Sequence, residues 1–147
     1  MTVQPTQVVM LAVLVLATVV LGVAWRSRQG RVRTTSARRG PVVDWAARGV
    51  RLGERATFVQ LSAEVCAPCR ATARVLRDLA EREAGVAHHE LDVEDHLDLV
   101  RELGALTTPT VLVLDATGAQ AARSSGGMSP AQARQALAAA LPAPAAA

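Results

Sequence analysis

Several things are scarce in this sequence of 147 residues, and each scarcity excludes something. There is no tyrosine, one phenylalanine and two tryptophans. Single-stranded nucleic acid is held by aromatic side chains interleaved with positive charge, and this chain has no such platform. The net charge of +3 is not a nucleic-acid footprint either. There is no lysine: all sixteen basic residues are arginine. With two cysteines in the chain, a multi-disulfide framework of the kind that staples small secreted scaffolds is excluded. The three histidines, His88, His89 and His96, form no spaced pair. His88 and His89 are adjacent, so on a strand they point to opposite faces. A zinc site built on the cysteines would need two more ligands, and these histidines are poorly placed to supply them, so no metal is expected.

The two cysteines stand close together, in Cys66-Ala67-Pro68-Cys69. Before them is a short apolar run, Thr57-Phe58-Val59-Gln60-Leu61, and after them a helical pattern over residues 70–83. Strand, Cys-x-x-Cys, helix is the layout of a thiol–disulfide site. A helix N-terminus leaves N–H groups unpaired and carries the positive end of the helix dipole. That end stabilises a thiolate and makes the first cysteine a nucleophile near neutral pH. The second cysteine, one turn on, can close a disulfide or resolve a mixed one. Pro68 suits a first turn, where no N–H donor is needed. The spacing alone leaves open half of a zinc knuckle, or two inert buried thiols. Arg70 either helps to lower a thiol pKa or is a helix surface charge.

The other conspicuous stretch is apolar throughout, residues 8–25. Eighteen residues at about 1.5 Å each reach roughly 27 Å, close to the hydrocarbon thickness of a bilayer. Trp25 suits the membrane interface. A cleaved signal peptide fits less well: no basic residue precedes the run, the run is long, and arginines follow it directly. The expectation is a single-span anchor in contact with lipid through residues 8–25, after a short tail, 1–7. Arg26, Arg28, Arg31, Arg33, Arg38 and Arg39 all follow the span and none precedes it. The positive-inside rule then places the N-terminus outside and the rest of the chain in the cytoplasm. Residues 26–40 read as a basic juxtamembrane linker, whose arginines either lie on anionic headgroups or only set topology.

A domain is expected over residues 41–141. Val42, Val43 and Trp45 form either a short edge strand or a packing segment, and Leu52-Gly53-Glu54-Arg55 a turn. Strands are expected over 57–62, 86–93 and 111–114, with a polar return strand over 120–125 on the sheet edge. Between them fall amphipathic helices over 70–83 and over 94–103, the latter with Leu97, Val100 and Leu103 inward. Thr117-Gly118 signals a hairpin turn. Ser129-Pro130 is a good cap for an alanine-rich helix over 132–141. Residues 142–147 read as a disordered tail. His88 and His89 read as plain strand positions, and His96 as part of a solvated helix start.

Thr107-Thr108-Pro109-Thr110-Val111-Leu112-Val113-Leu114 follows the cysteine pair by about forty residues. Together with Phe58-Val59-Gln60-Leu61-Ser62-Ala63-Glu64-Val65-Cys66-Ala67-Pro68-Cys69, it resembles the thioredoxin family over residues 56–141. The resemblance implies an α/β thioredoxin-like fold, a mixed central sheet flanked by helices. It also implies a cis Pro109 facing the cysteine pair, and a peptide groove formed by Val65, Ala67, Pro68, Thr108 and Pro109 in which the Thr108 backbone pairs with an extended substrate. In this sequence Val65 stands where the family usually has tryptophan, and Gln60 where it has a buried acid that helps the resolving thiol lose its proton. Glutamine cannot accept a proton at neutral pH, so resolution is expected to be slow. The family's first helix has too few residues here for ordinary length.

The expected function is thiol–disulfide exchange on protein substrates, with Cys66 the nucleophile and Cys69 the resolving thiol. A thioredoxin reductase or a low-molecular-weight thiol would supply electrons. No cofactor beyond the redox disulfide is expected, and nucleic acid is not an expected partner. The alternatives are an outward-facing oxidoreductase and a non-catalytic module that uses the groove to hold a partner.

Overall fold

The computed structural model describes residues 5–28, 33–34 and 43–141. The expected tail 142–147, most of the linker 26–40, Val42 and the first four residues of the N-terminal tail lie outside them. The elements in chain order are α1 (Pro5–Arg28), β1 (Arg33–Thr34), a 3₁₀ turn (Ala46–Arg48), β2 (Ala56–Ser62), α2 (Ala67–Arg82), β3 (Val86–Asp92), α3 (Leu97–Glu102), β4 (Thr110–Asp115), β5 (Gln120–Ser125) and α4 (Pro130–Ala140).

α1 extends three residues beyond the apolar run at each end. It is long and apolar enough to cross a membrane. In the middle of the helix the Thr18 hydroxyl bonds back to the Leu14 and Val15 carbonyls, so this polar group is satisfied within the helix.

The sheet order is β1-β5-β4-β2-β3. β2 pairs with β3 in parallel and with β4 antiparallel, and β4–β5 and β5–β1 are antiparallel. β2 is an interior strand, between β4 and β3, and all seven of its residues are buried. Successive side chains therefore go to two different cores. Phe58, Val111 and Val113 pack under α2 and α4 with Leu76, Leu79, Ala133, Ala136 and Leu137. Val59, Leu61, Leu112 and Leu114 pack on the other face with Leu99, Leu103, Trp45 and Val50.

Trp45 settles the reading of its segment: it is a packing anchor, not a strand residue. Its indole N–H donates to the Gly118 carbonyl at 3.0 Å, and a 3₁₀ turn follows it. At Gly53 the backbone is crowded enough to require glycine. A Cβ there would lie 2.5 Å from the Ala56 oxygen and 2.7 Å from the Gly85 oxygen. The hairpin at 115–119 is held by Asp115, whose Oδ1 accepts from the Thr117 N–H, the Thr117 hydroxyl and the Ala119 N–H.

Two expectations are corrected. Helix α3 begins three residues later than its apolar pattern, because Asp92 Oδ1 accepts the Glu94 N–H and holds a turn ahead of it. The inward stripe of α3 is then Leu99, Val100 and Leu103, and Leu97, expected inward, is 52% exposed. The return strand β5 is not the sheet edge: the backbone of β1, inside the stretch read as linker, pairs outside it. Ala121, Ala122 and Ser124 of β5 are buried.

Candidate functional site

β2 ends at Ser62, and a short loop carries the chain to α2. Cys66 is the N-cap of that helix, in extended conformation, and its Sγ accepts the Cys69 N–H at 3.2 Å. The cap is thus a sulfur, with the Cys69 N–H directed at it. Pro68 sits in the first turn, where its missing donor costs nothing. Cys66 and Cys69 form a disulfide, with S–S 2.00 Å and Cα–Cα 5.2 Å. Cys66 is 8% exposed and Cys69 1%. Around them Val65, Ala67, Pro68 and Arg70 face solvent, Val65 at 94% exposure.

The second part of the site arrives from β4. The register pairs Leu61 with Thr110. The loop before Thr110 therefore lies at the same sheet edge as the chain leaving β2 for Cys66. The Thr108–Pro109 peptide is cis. Pro109 is buried, Thr108 exposed, and Leu106 stands out at 95% exposure. The loop is tied on both sides, by Thr110 Oγ1 donating to the Thr107 carbonyl at 2.7 Å and by the Gly126 N–H donating to the Pro109 carbonyl at 2.8 Å. The loop after β5 closes against α2, where the Met128 N–H donates to Thr72 Oγ1 at 3.0 Å. Cys66, Cys69, Val65, Ala67, Pro68, Thr108 and Pro109 thus all lie at one edge.

A polar cluster lies behind Cys69. Gln60 Nε2 donates to the Cys69 carbonyl at 3.0 Å and lies within reach of Ser62 Oγ (2.8 Å) and Glu90 Oε1 (3.2 Å). Ser62 Oγ donates to Glu90 Oε1 at 2.6 Å. Ser62 and Glu90 have no sequence signal of their own. Gln60 and Glu90 are 30 positions apart and meet because β2 and β3 pair in register.

The histidines lie apart from the sulfurs. His89 Nε2 is 2.9 Å from the Arg51 carbonyl, and His96 Nδ1 is 3.0 Å from the Asp92 carbonyl. His88 Nε2 is buried without a partner, and burial pushes this imidazole down to about 4. Among the described residues no three His, Cys, Asp or Glu side chains come together as a metal site.

No family model and no curated protein sequence matches the chain. Solved structures do. The chain is similar to chloroplastic thioredoxin z, with 26% identity, a TM-score of 0.51, and coverage of 58% of this chain and 77% of that one. It is also similar to the thioredoxin NaTrxh of Nicotiana alata (21% identity, TM-score 0.54, coverage 60% and 76%) and to a Schistosoma mansoni thioredoxin pre-protein (19%, 0.53, 60% and 82%). The chain has a thioredoxin-like fold. A thioredoxin-like fold with a disulfide-capable cysteine pair at a helix N-terminus supports thiol–disulfide redox chemistry in general. Between β1 and β2 the described residues hold one short element, the 3₁₀ turn at Ala46–Arg48.

Proposed function

We propose that this protein is a membrane-anchored reductant that carries out thiol–disulfide exchange on protein substrates through Cys66 and Cys69. The observation that carries the reading is the disulfide closed between the N-cap of α2 and its first turn. In the dithiol form, the Cys66 thiolate attacks one sulfur of a substrate disulfide, and the other sulfur leaves as a thiolate. Cys69 then loses its proton and attacks Cys66 Sγ, and the second substrate sulfur leaves. The substrate gains two electrons and the Cys66–Cys69 disulfide forms. A thioredoxin reductase or a small thiol returns the pair to the dithiol. Val65, Ala67 and Pro68 on one side and Thr108 and Pro109 on the other receive the extended substrate segment, its backbone pairing at Thr108.

α1 anchors the protein, and the arginines that follow it favour a cytoplasmic domain. A reducing compartment keeps the pair as a dithiol, which suits a reductant. The test is a redox titration of the full chain in detergent micelles, in defined thiol buffers. A single two-electron couple near about −270 mV supports the reductant. A potential above about −200 mV favours an outward-facing oxidant or isomerase instead. Failure of the disulfide to form at any poise overturns exchange and leaves a binding module.

A further inference from the structure

The resolving step requires a thiolate at Cys69, and every polar feature around Cys69 acts on whether that thiolate forms. The residue is 1% exposed, and burial disfavours the charged form. Beneath it Gln60 is fully buried. Its NH₂ has two hydrogens and three acceptors within reach: the Cys69 carbonyl at 3.0 Å, Ser62 Oγ at 2.8 Å and Glu90 Oε1 at 3.2 Å. All of its donor capacity is committed. The atom of the amide left over is Oε1, buried and without a partner. The amide therefore keeps no hydrogen to donate to a sulfur anion. Glu90 itself places a carboxylate two hydrogen bonds from the Cys69 main chain, and a like charge also disfavours a thiolate. The other charged or titratable groups near the cluster are His88, on the same face of β3, Arg77 of α2, whose charge acts on His88, and Arg70 beside Cys69. His88 is neutral at pH 7, and Arg70 and Arg77 are exposed; the Glu90 residue is exposed too, but its Oε1 is held against the cluster by Ser62 Oγ and Gln60 Nε2.

Burial, the committed amide and the carboxylate share one sign. We propose that Glu90 is a positioning residue for the resolving thiol: acting through Ser62 and Gln60, it holds Cys69 protonated and prolongs the mixed disulfide between Cys66 and the substrate. The inference rests on the exchange reading above and deepens it, since a protein of this kind keeps hold of its partner between the two chemical steps.

The experiment uses 5,5′-dithiobis(2-nitrobenzoate) with the reduced full chain in micelles at neutral pH. Attack by the Cys66 thiolate breaks the reagent's S–S bond and releases one nitrothiolate. Attack by Cys69 on the mixed disulfide releases the second, so one chromophore reports both steps in order. In Glu90→Gln the second phase is expected to be about threefold faster, because easing deprotonation of Cys69 raises its thiolate fraction while each thiolate becomes a somewhat weaker nucleophile. The first phase is expected to stay within about twofold, and the midpoint of the second phase's pH profile to move down. Ser62→Ala, which removes the link between Glu90 and the amide, is expected to accelerate the second phase by a smaller factor. An unchanged or slower second phase in Glu90→Gln overturns the assignment, as does an equal change in both phases, which would mark a purely structural effect. If both the wild-type chain and Glu90→Gln release a single equivalent, the exchange reading fails and takes the role of Glu90 with it.

Discussion

Helices α1 and α2 hold their apolar side chains in opposite ways. α2 places Ala73, Leu76 and Leu79 on one face and buries them against the sheet and α4, while Arg70 and Arg74 face water. α1 has apolar residues on every side, and each of its large side chains from Val8 to Val23 is exposed. A stripe about a third of the circumference wide suits an aqueous surface and one core. A helix that is apolar all round has no face for water and needs either a larger protein core or lipid. No such core surrounds α1 among the described residues. α2 is thus completed by the domain it belongs to, and α1 by the membrane proposed for it. The difference separates two regions of one chain: α2 presents a sulfur at its tip, and α1, under the proposed anchoring, would set where that sulfur works.

The contrast can be broken at either helix. The largest effect is expected at the cap of α2. Cys66→Ser removes the attacking sulfur but keeps an N-cap side chain that accepts from the helix N–H groups. Turnover of disulfide substrates should be lost altogether while thermal stability stays near that of the reduced wild type, which also lacks the Cys66–Cys69 bond. Residual turnover would move the nucleophile elsewhere. In α1, Leu14→Arg places a charge in the middle of the span, at a cost of about 3 kcal/mol in a bilayer. Membrane fractionation should show the chain shifted toward the soluble fraction, with exchange rates unaltered. In α2, Leu76→Ala opens a cavity between β2 and α4 and should lower unfolding stability by about 3 kcal/mol in denaturant melts. The membrane fraction should not move. If either substitution produced the other's phenotype, the division between the helices would be wrong.

How much of this was legible in the sequence depends on the range of the forces involved. The amphipathic stripe of α2, the Ser129-Pro130 cap of α4 and the apolar length of α1 are local patterns, and each gave its element directly. The start of α3 was misread because apolar spacing carries no information about the Asp92 side chain, which bonds the Glu94 N–H and delays the helix. Leu97 fell on the wrong side as a result. The position of β5 was misread because its outer neighbour β1 is two residues long and has no strand pattern. The edge that gathers Cys66, Cys69, Thr108 and Pro109 was anticipated from the resemblance, not from spacing. The Gln60–Ser62–Glu90 cluster was not anticipated at all. Gln60 stood out only as a replacement, and its partner is fixed by the β2–β3 register, which a single sequence does not display.

The smallest predicted effect sharpens the contrast from the sheet side of α2. His88 lies on β3 within the field of Arg77 on α2, with Nε2 buried and unpartnered. Burial first, then the positive charge of Arg77, lowers its pKa from 6.5 to about 4, against the opposing pull of Glu90. Below 6.5 the unfolded chain takes up a proton at this site while the folded domain still refuses it. The unfolded state then binds more protons, so stability falls as the pH drops from 6.5 toward 4 and is restored as it rises. One pKa unit corresponds to about 1.4 kcal/mol, so lowering the pH from 6.5 to about 5 should cost roughly 2 kcal/mol through His88. Denaturant melts of wild type and His88→Gln across that window isolate the effect, because the acidic groups are common to both. The variant should show a flatter dependence on pH. If the two profiles are parallel, the imidazole is reached by water in the folded state, and the α2 side of the sheet is less tightly closed than its packing indicates. Nothing of the kind is expected for α1, which has no titratable side chain between Val8 and Val23.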